Sequence, residues 1–153
     1  MTDADHAALV EQLIRHESER LTPYFDTVGK ATIGVGRNLT DRGITREESR
    51  RLLDADVATG IAELTAAFGW FSDLDVVRQR ALLDMHLNLG ITRLRGFTLM
   101  LSAIGRKNYE VASSEMMRSL WAGQVGARAI TLAEMMASGE APVFTHPQST
   151  GRI

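Results

Sequence analysis

The stretch ESERLTPYFDTVGKATIGVG, residues 17–36, changes its hydrophobic period partway along. Upstream of it and into its start, Val10, Leu13, Ile14 and Leu21 recur at helical spacing, which predicts an amphipathic helix over Ala8 to Leu21, ending near Thr22-Pro23. Glu17 falls on that apolar stripe, an unusual place for a carboxylate, since a solvated Glu belongs on the opposite face. From Tyr24 to Leu39 the pattern is different. Ile33 and Val35 alternate with Gly34 and Gly36, while Asp26 and Gly29 supply turn chemistry, so a small hairpin or three-stranded sheet is predicted. Gly34 and Gly36 weaken a strand, and close approach of backbone or ligand is the expected reason they are tolerated.

Two carboxyls and a hydroxyl thus fall in one short stretch: Glu17 at the helix end, Asp26 in the turn and Thr32 entering the glycine-containing strand. Cleaving a glycosidic bond requires one carboxylic acid to protonate the leaving oxygen. A second carboxylate directs water or stabilises the oxocarbenium-like transition state. Desolvation on the apolar stripe favours protonated Glu17 and suits a general acid, whereas Asp26 in a turn stays ionised. Spacing alone does not make an enzyme, because most such carboxylate pairs are solvated surface.

Downstream, Thr45-Arg-Glu-Glu48 is a capping box that predicts a helix over Arg46 to Leu53. Val57, Ile61, Leu64 and Phe68 predict a second helical stretch from Ala55 to Phe68. Beyond Gly69-Trp70 the expectation is helices over Asp73 to Leu89, Arg93 to Phe97, Leu99 to Ile104, Tyr109 to Leu120 and Gln124 to Ala137, punctuated by Gly90, Gly105, Gly123 and Gly139. The fold class is therefore α+β: a small mixed lobe over about 8–54, a connecting helix over 55–68 and a larger helical lobe over 69–138, with room for a cleft between lobes. A tail over 139–153, with few core residues from Pro142 to Ile153, is expected to be loosely held.

Composition bounds the function. The 153 residues suit a single domain that buries a core without disulfides. Cysteine is absent, which excludes thiol nucleophiles and thiolate metal sites. A formal charge of -2 supplies no basic field for nucleic acid. Met1 to His6 lacks the basic start of a signal peptide, and no apolar run reaches the length of a membrane span, so synthesis in the cytoplasm without stable membrane insertion is expected. The histidines at 6, 16, 86 and 146 make no metal motif, and adjacent His16 and Glu17 do not form a dyad on one helix face. His86 reads as a satisfied core or cleft histidine. Gly34-Val-Gly36 lacks the third glycine and following helix of a dinucleotide fingerprint. Met85, Met100, Met116, Met117, Met135 and Met136 read as core packing.

Taken with their order and spacing, Glu17-Ser-Glu-Arg-Leu21, Tyr24-Phe-Asp26-Thr-Val-Gly29 and Thr32-Ile-Gly-Val-Gly36 resemble the signature of phage-type lysozymes, glycoside hydrolase family 24: E-x-x-[RK]-L, Y-x-D-x-x-G and T-I-G-x-G. Further blocks are similar: the helix start after Gly43-Ile-Thr45, Arg80 to Gly90, Gly96-Phe-Thr98 and Trp121 to Arg128, so the likeness spans roughly 8–138. The resemblance implies a lysozyme-like fold with Glu17 as general acid, Asp26 positioning or activating water and Thr32 helping to hold that water. It also implies that Arg128 reaches toward Glu17, leaving the resting protonation of Glu17 to the balance of burial and guanidinium. Asn88 and Gln124 match amides expected to contact N-acetyl groups or the peptide stem. Two departures stand out: Ser18 where many relatives have Gly, and Arg37 where some have His. Arg37 forms either part of a cleft wall for substrate or a surface cover over apolar neighbours. The short connection from Leu39 to Ile44 lacks an insertion that some relatives carry.

The activity implied is hydrolysis of the β-1,4 bond between N-acetylmuramic acid and N-acetylglucosamine in peptidoglycan glycan strands, by a monomeric phage endolysin causing host lysis. Inversion is expected, with no cofactor or metal. The alternatives are a lytic transglycosylase and a non-catalytic wall-binding or structural module on the same fold.

Overall fold

The computed structural model describes residues 1–142, which fall into two compact units, Met1–Leu52 and the chain from Leu53 onward. His146 and the expected loose tail beyond Pro142 lie outside the described residues. Among the described residues no helix is long and apolar enough to cross a membrane.

In the first unit, helix α1 spans Asp3–Glu17. It starts ahead of the expected Ala8 because Thr2 and Asp5 form a capping box: Asp5 N–H donates to Thr2 Oγ1 at 3.2 Å, and Thr2 N–H donates to Asp5 Oδ2 at 2.9 Å. It also ends before the expected Leu21. Ser18 turns out of the helix with φ 62 and ψ 143, and Leu21, Thr22 and Pro23 lie in strand β1, Arg20–Phe25. Pro23 has no N–H for a helical bond and pushes Thr22 to extended backbone, which explains the correction.

The predicted sheet is present as three antiparallel strands in the order β1-β2-β3, with β2 at Ala31–Gly34 and β3 at Arg37–Asn38. Tyr24 lies opposite Thr32 and Phe25 opposite Ala31, while Thr32 also faces Asn38 across β2 and β3. Gly34 and Gly36 take φ 63 and 71. A Cβ on Gly34 would meet no atom within 4 Å, and one on Gly36 would meet only Glu17 Oε2 at 3.9 Å. Left-handed backbone at the β2–β3 turn, and not crowding by neighbouring backbone, is what requires glycine there.

Helix α2 covers Arg46–Ala67 as one element. The Thr45 box closes it as predicted, with Thr45 N–H to Glu48 Oε2 at 2.7 Å and Glu48 N–H to Thr45 Oγ1 at 3.1 Å. The two stretches expected on either side of Asp54 are continuous because neither Gly nor Pro stands at their junction, and Gly60 further on stays within the helix.

In the second unit, α3 spans Val76–Leu94 and is capped by Asp75, whose side chain accepts from Val77 and Arg78 N–H. The break expected at Gly90 is real, for that residue has φ 74 and ψ 159 inside the element. Helices α4 (Thr98–Gly105), α5 (Tyr109–Arg118), α6 (Leu120–Val125) and α7 (Ala127–Ser138) follow. The stretch expected as one helix over Tyr109 to Leu120 stops at Arg118, where Ser119 turns to extended backbone and caps α6 by accepting from Ala122 N–H. Gly123 lies inside α6, and the break falls instead at Gly126, with φ 56. The expected piece at Arg93 to Phe97 is the end of α3 followed by a turn.

The core of this unit gathers Leu64, Phe71, Leu82, Met85, Leu94, Met100, Ile104, Met116, Trp121, Leu132 and Met136. Each such side chain contributes roughly 1.5–3 kcal/mol of apolar burial. Met117 departs from the predicted methionine set, being 43% exposed, because it follows the buried Met116 on the same helix and points away from it. Arg78 ties α3 to the end of α7. It stacks on Tyr109 at 3.7 Å from the ring centre and donates to the carbonyls of Met136 at 2.8 Å and Ala137 at 2.7 Å, two groups the helix itself leaves unbonded.

Candidate active site

Glu17, Asp26 and Thr32 all fall in the first unit. Asp26 opens the turn between β1 and β2, its carboxylate Oδ1 accepting from Val28 N–H at 3.0 Å and Lys30 N–H at 2.8 Å. Its own N–H donates to Lys30 carbonyl at 3.0 Å, and Gly29 N–H returns to Asp26 carbonyl at 3.0 Å. An Asp suits this turn because its short acceptor satisfies backbone donors two and four residues on. Asp26 Oδ2 has no hydrogen-bond partner among the described residues. Thr32 is buried, 4% exposed, and its hydroxyl donates to Lys30 carbonyl at 3.1 Å. Asp26 and Thr32 are linked through Lys30, whose N–H donates to Asp26 Oδ1 and whose carbonyl accepts the Thr32 hydroxyl.

Glu17 closes α1, and its Oε2 comes within 3.9 Å of the place a Cβ on Gly36 would take. The expected burial of Glu17 is corrected: it is exposed, and no side chain of α1 is buried. The apolar stripe carrying it, including Val10 and Leu13, is itself open to solvent.

Arg37, a candidate substrate contact, is braced within the same unit. Its guanidinium grips Glu48 through Nη1 to Oε1 at 2.7 Å and Nη2 to Oε2 at 2.8 Å, and Nε and Nη2 donate to Gly43 carbonyl at 3.1 and 2.9 Å. Among the described residues one of its five N–H groups has no partner. Thr45 N–H and then Arg37 hold the Glu48 carboxyl well below its ordinary range, at about 2.

The remaining candidates belong to the helical unit. Arg128 donates from Nε to Asp84 Oδ1 at 2.7 Å and from Nη2 to Asp84 carbonyl at 3.2 Å, so its guanidinium is engaged by Asp84. Asn88 accepts the Trp121 indole N–H on Oδ1 at 2.7 Å, leaving its amide N–H groups to point elsewhere. Gln124 is exposed on α6. His86 is a core histidine, as expected, but satisfied on one side only. Nε2 meets Glu63 Oε2 at 2.7 Å, while the buried Nδ1 has no partner among the described residues. No three His, Asp or Glu side chains of the described residues converge to hold a metal ion.

Sequence reasoning passed over Lys30, whose backbone carries both Asp26 and Thr32, because a backbone role leaves no side-chain signature. It also passed over Asp84 and Glu63, partners that only helix packing brings to Arg128 and His86.

Two comparisons bear on this arrangement. The sequence is 26% identical over 162 aligned positions to the probable T4-type lysozyme 1 of Dictyostelium discoideum, covering 87% of this chain and 95% of that protein. It is 27% identical to the pre-baseplate central spike protein Gp5 of Enterobacteria phage T4, covering 90% of this chain and 29% of that longer protein. The profile of the phage lysozyme family matches residues 14–133, a span that holds the whole Glu17, Asp26 and Thr32 arrangement and most of both units. This lysozyme-like chain belongs to the phage lysozyme family.

Proposed function

We propose that the chain is a muramidase that hydrolyses the β-1,4 bond between N-acetylmuramic acid and N-acetylglucosamine of peptidoglycan, acting as an endolysin on the host wall. The observation that carries this reading is the hairpin itself: Asp26 and Thr32 both bond the backbone of Lys30, with one Asp26 oxygen bound by backbone and the other without a partner among the described residues. Such a half-occupied carboxylate beside a hydroxyl suits the holding of a water molecule.

In this mechanism Glu17 protonates the glycosidic oxygen as the bond to the anomeric carbon breaks. Water held by Asp26 and Thr32 attacks that carbon from the opposite face, and Asp26 takes its proton. Because Glu17 is exposed, the desolvation that suits a general acid is supplied by the bound glycan. Inversion follows, so the first product is the α anomer. Asn88 through its amide N–H groups and Gln124 are proposed to meet N-acetyl or peptide-stem groups, Arg128 to act from its pair with Asp84, and Arg37 to offer to the glycan the N–H that has no partner among the described residues.

The test is clearance of purified sacculi. Glu17→Gln and Asp26→Asn are each expected to lower the rate by about 10²–10⁴ while leaving wall binding intact. Near-full lysis by Glu17→Gln removes the assignment. NMR of a rapid digest is expected to show the α anomer first. Anhydro sugars in the mass spectrum would identify a lytic transglycosylase instead, and binding without release of fragments would identify a wall-binding module.

The match to a central spike protein supports a second reading, in which the same domain works as part of a phage particle. Lytic activity that sediments with intact particles, with none in free solution, favours it.

A further inference from the structure

The backbone of a single residue, Lys30, carries both side chains of the hairpin site. Lys30 N–H donates to Asp26 Oδ1 at 2.8 Å, and Lys30 carbonyl accepts both the Asp26 N–H at 3.0 Å and the Thr32 hydroxyl at 3.1 Å. Any shift of the Lys30 backbone therefore moves Asp26 and Thr32 together. Packing does little to prevent such a shift. Phe25 and Val28 are 77% and 74% exposed, and Gly29 beside Lys30 takes φ 79.

What does hold Lys30 comes from the segment after β3. Its ammonium pairs with the Asp41 carboxylate. Asp41 is in turn fixed by Asn38, which donates from Nδ2 to Asp41 Oδ2 at 3.0 Å and accepts the Asp41 N–H on Oδ1 at 2.9 Å. Asn38 is the register partner of Thr32. Next to Lys30, Ala31 N–H donates to Thr40 Oγ1 at 2.9 Å. The segment from Asn38 to Asp41 thus grips residues 30 and 31 by side chain and by backbone.

We infer that Asp41 and Lys30 form a clamp that positions the Asp26 and Thr32 pair for holding water, an inference that rests on the proposed hydrolase reading of those two residues. Neither clamp residue touches substrate in this scheme. An ion pair this exposed contributes little to global stability, so its effect is read in where the Lys30 backbone sits and not in whether the chain folds. Consistently, the hydrogen bond from the Lys30 ammonium holds the Asp41 carboxyl below its ordinary range.

The experiment compares Asp41→Ala, Lys30→Met, the double variant, Asp41→Glu and the exchanged pair Lys30→Asp with Asp41→Lys on soluble uncross-linked peptidoglycan. Each single truncation is expected to lower kcat about fivefold with KM unchanged and Tm shifted by no more than about 4 °C. The double variant is expected to be no worse than either single one, and Asp41→Glu and the exchanged pair to recover most of the loss. A second readout is independent of turnover: the Lys30 amide resonance, bonded to Asp26, is expected to follow the Asp26 titration in the wild type and to lose more than about half of that response in Asp41→Ala.

Wild-type kcat in Asp41→Ala, a loss matched by unfolded protein in the melt, or an unaltered Lys30 response overturns the clamp. Full turnover by Asp26→Asn overturns the water-holding role proposed for Asp26 instead, and the Lys30 amide still judges the clamp on its own.

Discussion

At the scale of single residues, Ser18 is where local chemistry and backbone geometry disagree. Its φ of 62 with ψ of 143 lies close to a region that is nearly restricted to glycine, because a Cβ there crowds the adjacent peptide. The family resemblance marked this position as one where many relatives have Gly, and the structure supplies the reason. Ser18→Gly is expected to raise the unfolding free energy by about 1 kcal/mol, relief of strain outweighing the added freedom of the unfolded chain. Urea denaturation checks this, and a lower midpoint in the variant would count against a strained Ser18. Gly36 makes the opposite case. At φ 71 beside the Glu17 carboxylate, Gly36→Ala is expected to cost about 1 kcal/mol or more of stability and to reduce lysis, measured by urea midpoint and sacculus clearance.

At the scale of elements, caps and turns decide more than apolar period does. The Thr45 box could be read from sequence because its donors and acceptors lie three residues apart, and the structure extends it into a brace joining the start of α2 to β3 through Arg37. That brace gives a pH dependence with a definite sign. Glu48 titrates at about 2 in the folded chain against an ordinary 4.5, first through Thr45 N–H and then through Arg37. The stability it contributes is fully present above pH 4.5 and is lost as pH falls from there toward 2. In urea melts taken between pH 5 and pH 2, Glu48→Gln is expected to be less stable at pH 5 and to show a shallower acid decline than wild type. Parallel declines would show that Glu48 is not responsible. The elements that sequence misplaced fail for a related reason. The end of α1 and the split between α5 and α6 depend on Ser18 and Ser119 leaving helical backbone; Ser18 carries no signal for this, and the N-cap preference of Ser119 is masked by the helical period on both sides of it.

At the scale of the whole molecule, burial is uneven. All buried apolar side chains of the described residues belong to the unit from Leu53 onward, whereas in Met1–Leu52 the one buried residue is Thr32. Leu82→Ala, at 0% exposure in the core between helices, is expected to cost about 2–5 kcal/mol, read from chemical denaturation. Native-state hydrogen exchange is expected to be slowest at amides of α3, α5 and α7 and faster in β1 to β3, because strands with Leu21 80% exposed have little apolar cover to protect them. Equal protection in both units would contradict this distribution.

Sequence by itself determined the class of fold, the small sheet and the presence of two carboxyls and a threonine in one short stretch. Local rules suffice for these: period, capping spacing and turn residues act over a few positions, and an ordered set of motifs carries the family likeness. Tertiary structure alone decided which partner each polar group takes. The Lys30 backbone beneath Asp26 and Thr32, Asp41 on Lys30, Asp84 on Arg128 and Glu63 on His86 are all set by how turns and helices bring distant residues together. It also overruled the expected burial of Glu17, since a stripe of apolar residues on a helix predicts a face to be covered but not whether another element covers it.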